Sequence, residues 1–179
     1  MKKKPKSVDA IAMLKADHRQ VAKWFAEFDK ARAGNRREKL AAQICAALRV
    51  HTKIEEEIFY PAFIAATGDK PLHHEAVVEH AGAKKLIGEI ESSDSRDDYF
   101  EAKVTVLSEM IKHHVKEEEQ RDGMFAQAKK GDIDLDAIGA ALAARKQEVI
   151  AKFAREGVPP PKTRVMKGAD LERGEPVEA

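Results

Sequence analysis

The chain has 179 residues, 43% of them hydrophobic and 35% charged, with a net charge of +1. That length sets a prior of one domain with a real core, and the near balance of charge asks for neither nucleic acid nor an anionic membrane surface. The single cysteine, Cys45, excludes an internal disulfide or a CxxC zinc site.

A lone thiol fits a reducing cytoplasm, where the protein is expected to reside. No apolar run reaches the roughly 18 residues that a membrane span needs. Ala, Lys, Glu, Leu and Ile dominate, and only two glycines, Gly34 and Gly68, fall within residues 1–80. Both features favour helix. The basic start MKKKPKS has no apolar stretch behind it and reads as a solvated tail, residues 1–7, rather than a signal peptide.

Five helical segments follow. The first spans about Ser7 to Arg32, with Ile11, Leu14, His18, Val21, Phe25 and Phe28 recurring at steps of 3 and 4. Gly34-Asn35 ends it. The second, about Arg36 to Ala66, carries Ile44, Leu48, His51, Glu55, Ile58 and Ala62 in the same stepping, and Gly68 closes it. The third starts near Pro71, which suits a first turn, and its stripe is Val77, His80, Ala83, Ile87 and Ile90. SSDSRDD (92–98) is a loop. The fourth, about Tyr99 to Lys130, aligns Val104, Leu107, Ile111, His114 and Glu118. The fifth, Asp134 to about Arg155, is expected to pack outside the others, and GVPPPK then ends helical structure. Short loops between long helices make antiparallel neighbours. The fold expected is therefore all-α: an up-down-up-down four-helix bundle over residues 8–130, an additional C-terminal helix at 131–156 and a flexible tail at 157–179.

The apolar stripes carry ionisable residues. His18, His51, Glu55, His80, His114 and Glu118 occupy core-facing steps, and buried ionisable groups are costly unless paired or bound to metal. His18 and His51 are 51 − 18 = 33 residues apart, and His80 and His114 are 114 − 80 = 34 apart. The second histidine of each pair is followed four residues later by a glutamate, about 400° around a helix and so on the same face. Two hairpins of this kind would bring four imidazoles and two carboxylates to one level. Nitrogen and oxygen donors without thiolate suit iron, manganese or zinc, and two such carboxylates can bridge metals roughly 3.5–4 Å apart. A single histidine on an apolar stripe is more often a hydrogen-bonded core residue, and a single EEE run a solvated face. The matched spacing of all six is a different case. His73, His74 and His113 read as surface residues. Glu56, Glu57, Glu117 and Glu119 read as solvated, or at best as partners behind the ligands. Trp24, Phe25 and Phe59 read as core, and Cys45 as a buried inert thiol.

LKADH (14–18), HTKIEEEIFYP (51–61), EHAGAKKLI (79–87) and HHVKEEE (113–119) together resemble the hemerythrin-like, HHE cation-binding domains over about residues 8–130. The resemblance implies a bundle holding two iron ions in an oxo- or hydroxo-bridged, carboxylate-bridged non-haem centre. His18 and His51 would serve one iron and His80 and His114 the other, with Glu55 and Glu118 as bridges. Another divalent metal is the alternative occupant. The implied function is to bind or process a small diatomic or peroxide ligand: oxygen, hydrogen peroxide or nitric oxide. The alternatives are a non-enzymatic module that senses oxygen or iron or stores iron, and a zinc-filled structural bundle. The oxygen carriers have a further histidine four residues before the one matching His80. That position is Ala76 here, which argues against simple reversible oxygen carriage and for an open coordination position. QRDGMFA (120–126) replaces the compact IFYP ending of the first hairpin, which makes Gly123 a candidate break or bulge just past Glu118.

Overall fold

The computed structural model describes residues 9–32 and 34–159. The tail expected at 1–7 and most of that expected at 157–179 lie outside the described residues. Gly157, Val158 and Pro159 are described and non-helical. Among the described residues there is no strand, and no helix is long and apolar enough to cross a membrane.

Helix α1 (Ala10–Lys30) starts where the Asp9 carboxylate accepts from the N–H of Ala12. This cap satisfies a helix-end donor that would otherwise be orphaned. Helix α2 (Asn35–Ile54) runs into a π-helical turn, Glu55–Phe59, and then into α3 (Tyr60–Thr67). Gly68, at φ 68°, ends α3 in the left-handed conformation that glycine tolerates best. Helix α4 (Lys70–Ser92) has Asp69 as its cap and Pro71 in its first turn. Helix α5 (Phe100–Glu119), the short α6 (Met124–Lys130) and α7 (Leu135–Glu156) complete the chain.

Around the bundle, α1 packs on α2, α2 on α4, α4 on α5, and α5 back on α1. Helices α3 and α6 meet at one end, and α7 lies outside against α1, α2 and the π turn, as expected for an added helix.

Two expectations about continuity need correction. The second segment is not one regular α-helix. Tyr60 N–H donates to the Glu55 carbonyl five residues back, so the turn holds one extra residue. The core stripe therefore moves from the expected Ile58 and Ala62, both only half-buried, to Phe59 and Phe63, both fully buried. Pro61 supplies one reason: it has no N–H and its ring would crowd the carbonyl four residues earlier in a regular helix. The fourth segment also breaks, at the residue singled out for it. After Glu119 the chain turns, with Gly123 N–H donating to Gln120 O. A Cβ on Gly123 would lie 2.2 Å from the Glu117 carbonyl oxygen, so only glycine allows so close a reversal.

The core forms two apolar clusters. One holds Phe25, Ile44, Leu48, Ile87 and Leu107, and the other Ile11, Leu14, Ile54, Phe59, Tyr60 and Phe125. Helices α1, α2 and α4 each pass from one cluster to the other through a histidine, and α5 carries its histidine past its last residue in the first cluster. His18 lies between Leu14 and Val21, His51 between Leu48 and Ile54, His80 between Ala76 and Ala83, and His114 beyond Leu107. The polar layer is thus clamped between apolar layers. Each buried Leu, Ile or Phe contributes about 1.5–3 kcal/mol, which offsets the cost of holding ionisable groups there.

Candidate metal centre

All six residues read from the stripes converge. His18, His51, Glu55, His80, His114 and Glu118 are buried, none more than 6% exposed. His18 Nε2 and His51 Nε2 are 3.0 Å apart, and His80 Nε2 and His114 Nε2 are 3.1 Å apart. The two carboxylates span both pairs. Glu55 Oε2 lies 3.2 Å from His51 Nε2 and 3.5 Å from His80 Nε2. Glu118 places Oε2 3.4 Å from His18 Nε2 and Oε1 3.6 Å from His114 Nε2.

The other ring nitrogens explain why the imidazoles aim inward. His18 Nδ1 donates to Glu119 at 2.8 Å, His114 Nδ1 to Glu79 at 2.7 Å and His80 Nδ1 to Glu56 at 3.2 Å. Asp17 Oδ2 lies 3.5 Å from His51 Nδ1. A carboxylate behind each Nδ1 keeps the proton there and turns the Nε2 lone pair toward the centre, as a metal-binding imidazole requires. Paired lone pairs at about 3 Å repel unless a cation or proton sits between them. Lysines in turn hold three of these outer carboxylates, and His113 approaches the fourth. Lys15 contacts Glu119 at 3.0 Å, Lys84 contacts Glu56 at 2.5 Å, Lys146 pairs with Asp17, and His113 lies 3.3 Å from Glu79.

The donor set fits a metal on an observation independent of spacing. Both oxygens of Glu55 and Oε2 of Glu118 are buried without a hydrogen-bond partner. Groups at such depth are costly unless something binds them. Protons alone settle the layer unevenly. Burial and the adjacent Glu55 push the Glu118 carboxyl up to about 8. At Glu55 burial is outweighed by His51 and the other imidazoles, which hold it at about 2. Burial and the charge on His51 hold His18 at about 4. His51 rises to about 10 because the pull of Glu55 and Asp17 exceeds the cost of its burial. Divalent cations would compensate both carboxylates and leave all four imidazoles neutral.

The outer carboxylates extend the sequence reading. Glu56 and Glu119 are partners behind the ligands rather than solvated groups. Asp17 and Glu79 were not assigned that role. Each immediately precedes a candidate ligand, in Asp17-His18 and Glu79-His80, and that repeat was the available signal. His113 is exposed as expected but faces Glu79. His74 is exposed, whereas His73 is half-buried against the Tyr60 ring. Phe25 and Phe59 are core, Trp24 is half-buried, and Cys45 is buried with its thiol pushed up to about 12 by burial.

Tyr60 was also missed. Its hydroxyl donates to Glu118 Oε1 at 3.2 Å and lies 3.1 Å from His80 Nε2. It shares an apolar cluster with Ala76, the position expected to leave coordination open. In the other half, Phe125 stacks on His18 at 5.7 Å and offers no hydroxyl. The two halves of the centre are therefore chemically unlike.

Removing one outer carboxylate should loosen the centre without removing a donor. We expect Glu79→Ala to weaken metal affinity by about 10–100-fold, the usual cost of losing such a partner. Competition with a chelator measures it, and unchanged affinity would show that the orientation of His114 does not depend on Glu79.

A helical bundle with a buried layer of histidine and glutamate defines a cation-binding protein. The Hemerythrin HHE cation binding domain model matches residues 9–126, and the chain belongs to that family. Among solved structures, a Hemerythrin HHE cation binding domain-containing protein from Mycobacterium kansasii superposes with a TM-score of 0.70 at 23% identity, covering 84% of this chain and 95% of that one. At that identity the likeness is one of fold. No curated protein matches the chain.

Proposed function

We propose that His18, His51, Glu55, His80, His114 and Glu118 hold two iron ions in a carboxylate-bridged non-haem centre that binds or processes oxygen, hydrogen peroxide or nitric oxide. One observation carries this reading: each of two buried carboxylates reaches both histidine pairs, which a single-metal site would not need. Iron, when bound, would supply the redox chemistry and exchangeable coordination that such ligands demand. The chain's own residues orient the imidazoles, keep protons on Nδ1 and exclude water between two apolar clusters.

The test is metal analysis with an optical spectrum of anaerobically purified protein. About two irons per chain are expected, as a doubly bridged site requires, with near-ultraviolet absorption that zinc, having a filled d shell, cannot give. Glu55→Ala and Glu118→Ala should each disrupt the pair. Glu57→Ala and His74→Ala should leave metal content unchanged, because Glu57 pairs with Lys53 and Arg145 and His74 is exposed. One metal or none after reconstitution would count against the di-iron reading.

A second reading, a non-enzymatic module for sensing oxygen or iron or for iron storage, is favoured by how α7 is attached. Its Lys146 and Arg145 pair with Asp17 and Glu57, so α7 is held by groups next to the ligands. Sustained turnover of peroxide by the loaded protein would exclude the non-enzymatic reading.

A further inference from the structure

Two cavities meet at α1. The larger, about 290 Å³, lies among α1, α2 and α7 and is walled by Trp24, Ala46, Ala47, Val50 and Phe153. Its lining includes the exposed Ile150 and Val158, which mark its mouth. The smaller, about 10 Å³, is lined by His18, His51, His80 and His114 together with Ile111. Asp17 and Val21 line both cavities, so these two side chains form the wall between them. Asp17 is held on one oxygen by Lys146, which lines the larger cavity, and its other oxygen faces His51 at 3.5 Å.

We propose that the larger cavity is an entry chamber for apolar diatomic gases, oxygen or nitric oxide, with Val21 and Asp17 as its inner gate. The proposal rests on the di-iron reading and narrows the ligand within it. An apolar cavity of this size is a favourable place for a small apolar solute leaving water. Azide is charged and peroxide bonds strongly to water, so both would lose hydration on crossing the same walls. The lysine in the wall does not reverse that preference, because Asp17 neutralises it. The chamber would thus favour uncharged gases before they reach the histidines.

Xenon is a suitable probe because it occupies apolar cavities without chemistry. In the holoprotein, the methyl resonances of Ala46, Ala47 and Val50 are expected to shift with xenon pressure. Ala46→Phe should abolish the shifts of Ala47 and Val50 and slow nitric oxide association with the reduced protein about tenfold, equivalent to about 1.4 kcal/mol on the entry barrier. Azide association with the oxidised protein should keep its wild-type rate. Ala46→Leu should give the same pattern more weakly, which keeps the test available if the larger ring prevents folding. Absence of xenon from the wild type would overturn the chamber. So would an unchanged nitric oxide rate in a folded variant that excludes xenon, or equal slowing of nitric oxide and azide. Protein that takes up xenon but no iron would overturn the reading of the centre, and the entry role with it.

Discussion

Stripping the metal is expected to lower the melting temperature by roughly 8–16 °C. A ligand present at a thousand times its dissociation constant stabilises the folded state by about 4 kcal/mol, and each kcal/mol moves the midpoint by about 2–4 °C in a chain of this size. The cause is the layer itself. Without cations, two buried carboxylates keep three oxygens unpartnered, and two pairs of Nε2 atoms face each other at about 3 Å. The unfolded chain hydrates all of these groups, so their cost falls on the folded state alone. Calorimetry of apo and reconstituted protein measures the difference. Equal midpoints would mean that the layer is satisfied without a cation and that the six residues are not a metal site.

Tyr60→Phe is expected to leave metal content intact and to tighten azide binding by about tenfold, since a hydrogen bond to a charged group contributes about 1.5–3 kcal/mol and tenfold needs about 1.4. The hydroxyl lies on the His80 side of the centre, held by Glu118 and beside His80 Nε2. Burial and the charges of Glu118 and Glu55 push the phenol well above its ordinary range, so it stays protonated and donates. An incoming ligand on that side has to displace it. Titration of the oxidised protein with azide, wild type against variant, reads the effect. Loss of metal from Tyr60→Phe would instead make Tyr60 a ligand, and unchanged azide affinity would place the exchangeable position elsewhere.

The six inward donors were legible because helical spacing alone decides which residues share a stripe, and histidine on an apolar stripe stands out. The break at Gly123 was legible because a glycine inside a helical pattern invites one. The π turn was not, since stepping by 3 and 4 presumes a regular helix. Ile58 and Ala62 satisfied that rule, although packing selected Phe59 and Phe63. The outer carboxylates were obscured by a different geometry. Asp17 is adjacent to His18 in sequence but faces His51, and Glu79 is adjacent to His80 but faces His114. One step along a helix turns about 100°, so a neighbour of a ligand points to another helix, and only the packed bundle shows which. Tyr60 escaped notice because its side chain reaches the centre only after the extra residue of the π turn.

Two of the four braces also interlock the two halves of the chain. Glu56, from the first hairpin, steadies His80 of the second, and Glu119, from the second, steadies His18 of the first. A lone hairpin would carry imidazoles and one carboxylate, yet each hairpin would be missing a brace that the other supplies. Half a chain therefore cannot preform half a centre. Docking of the hairpins and readiness for metal become one event.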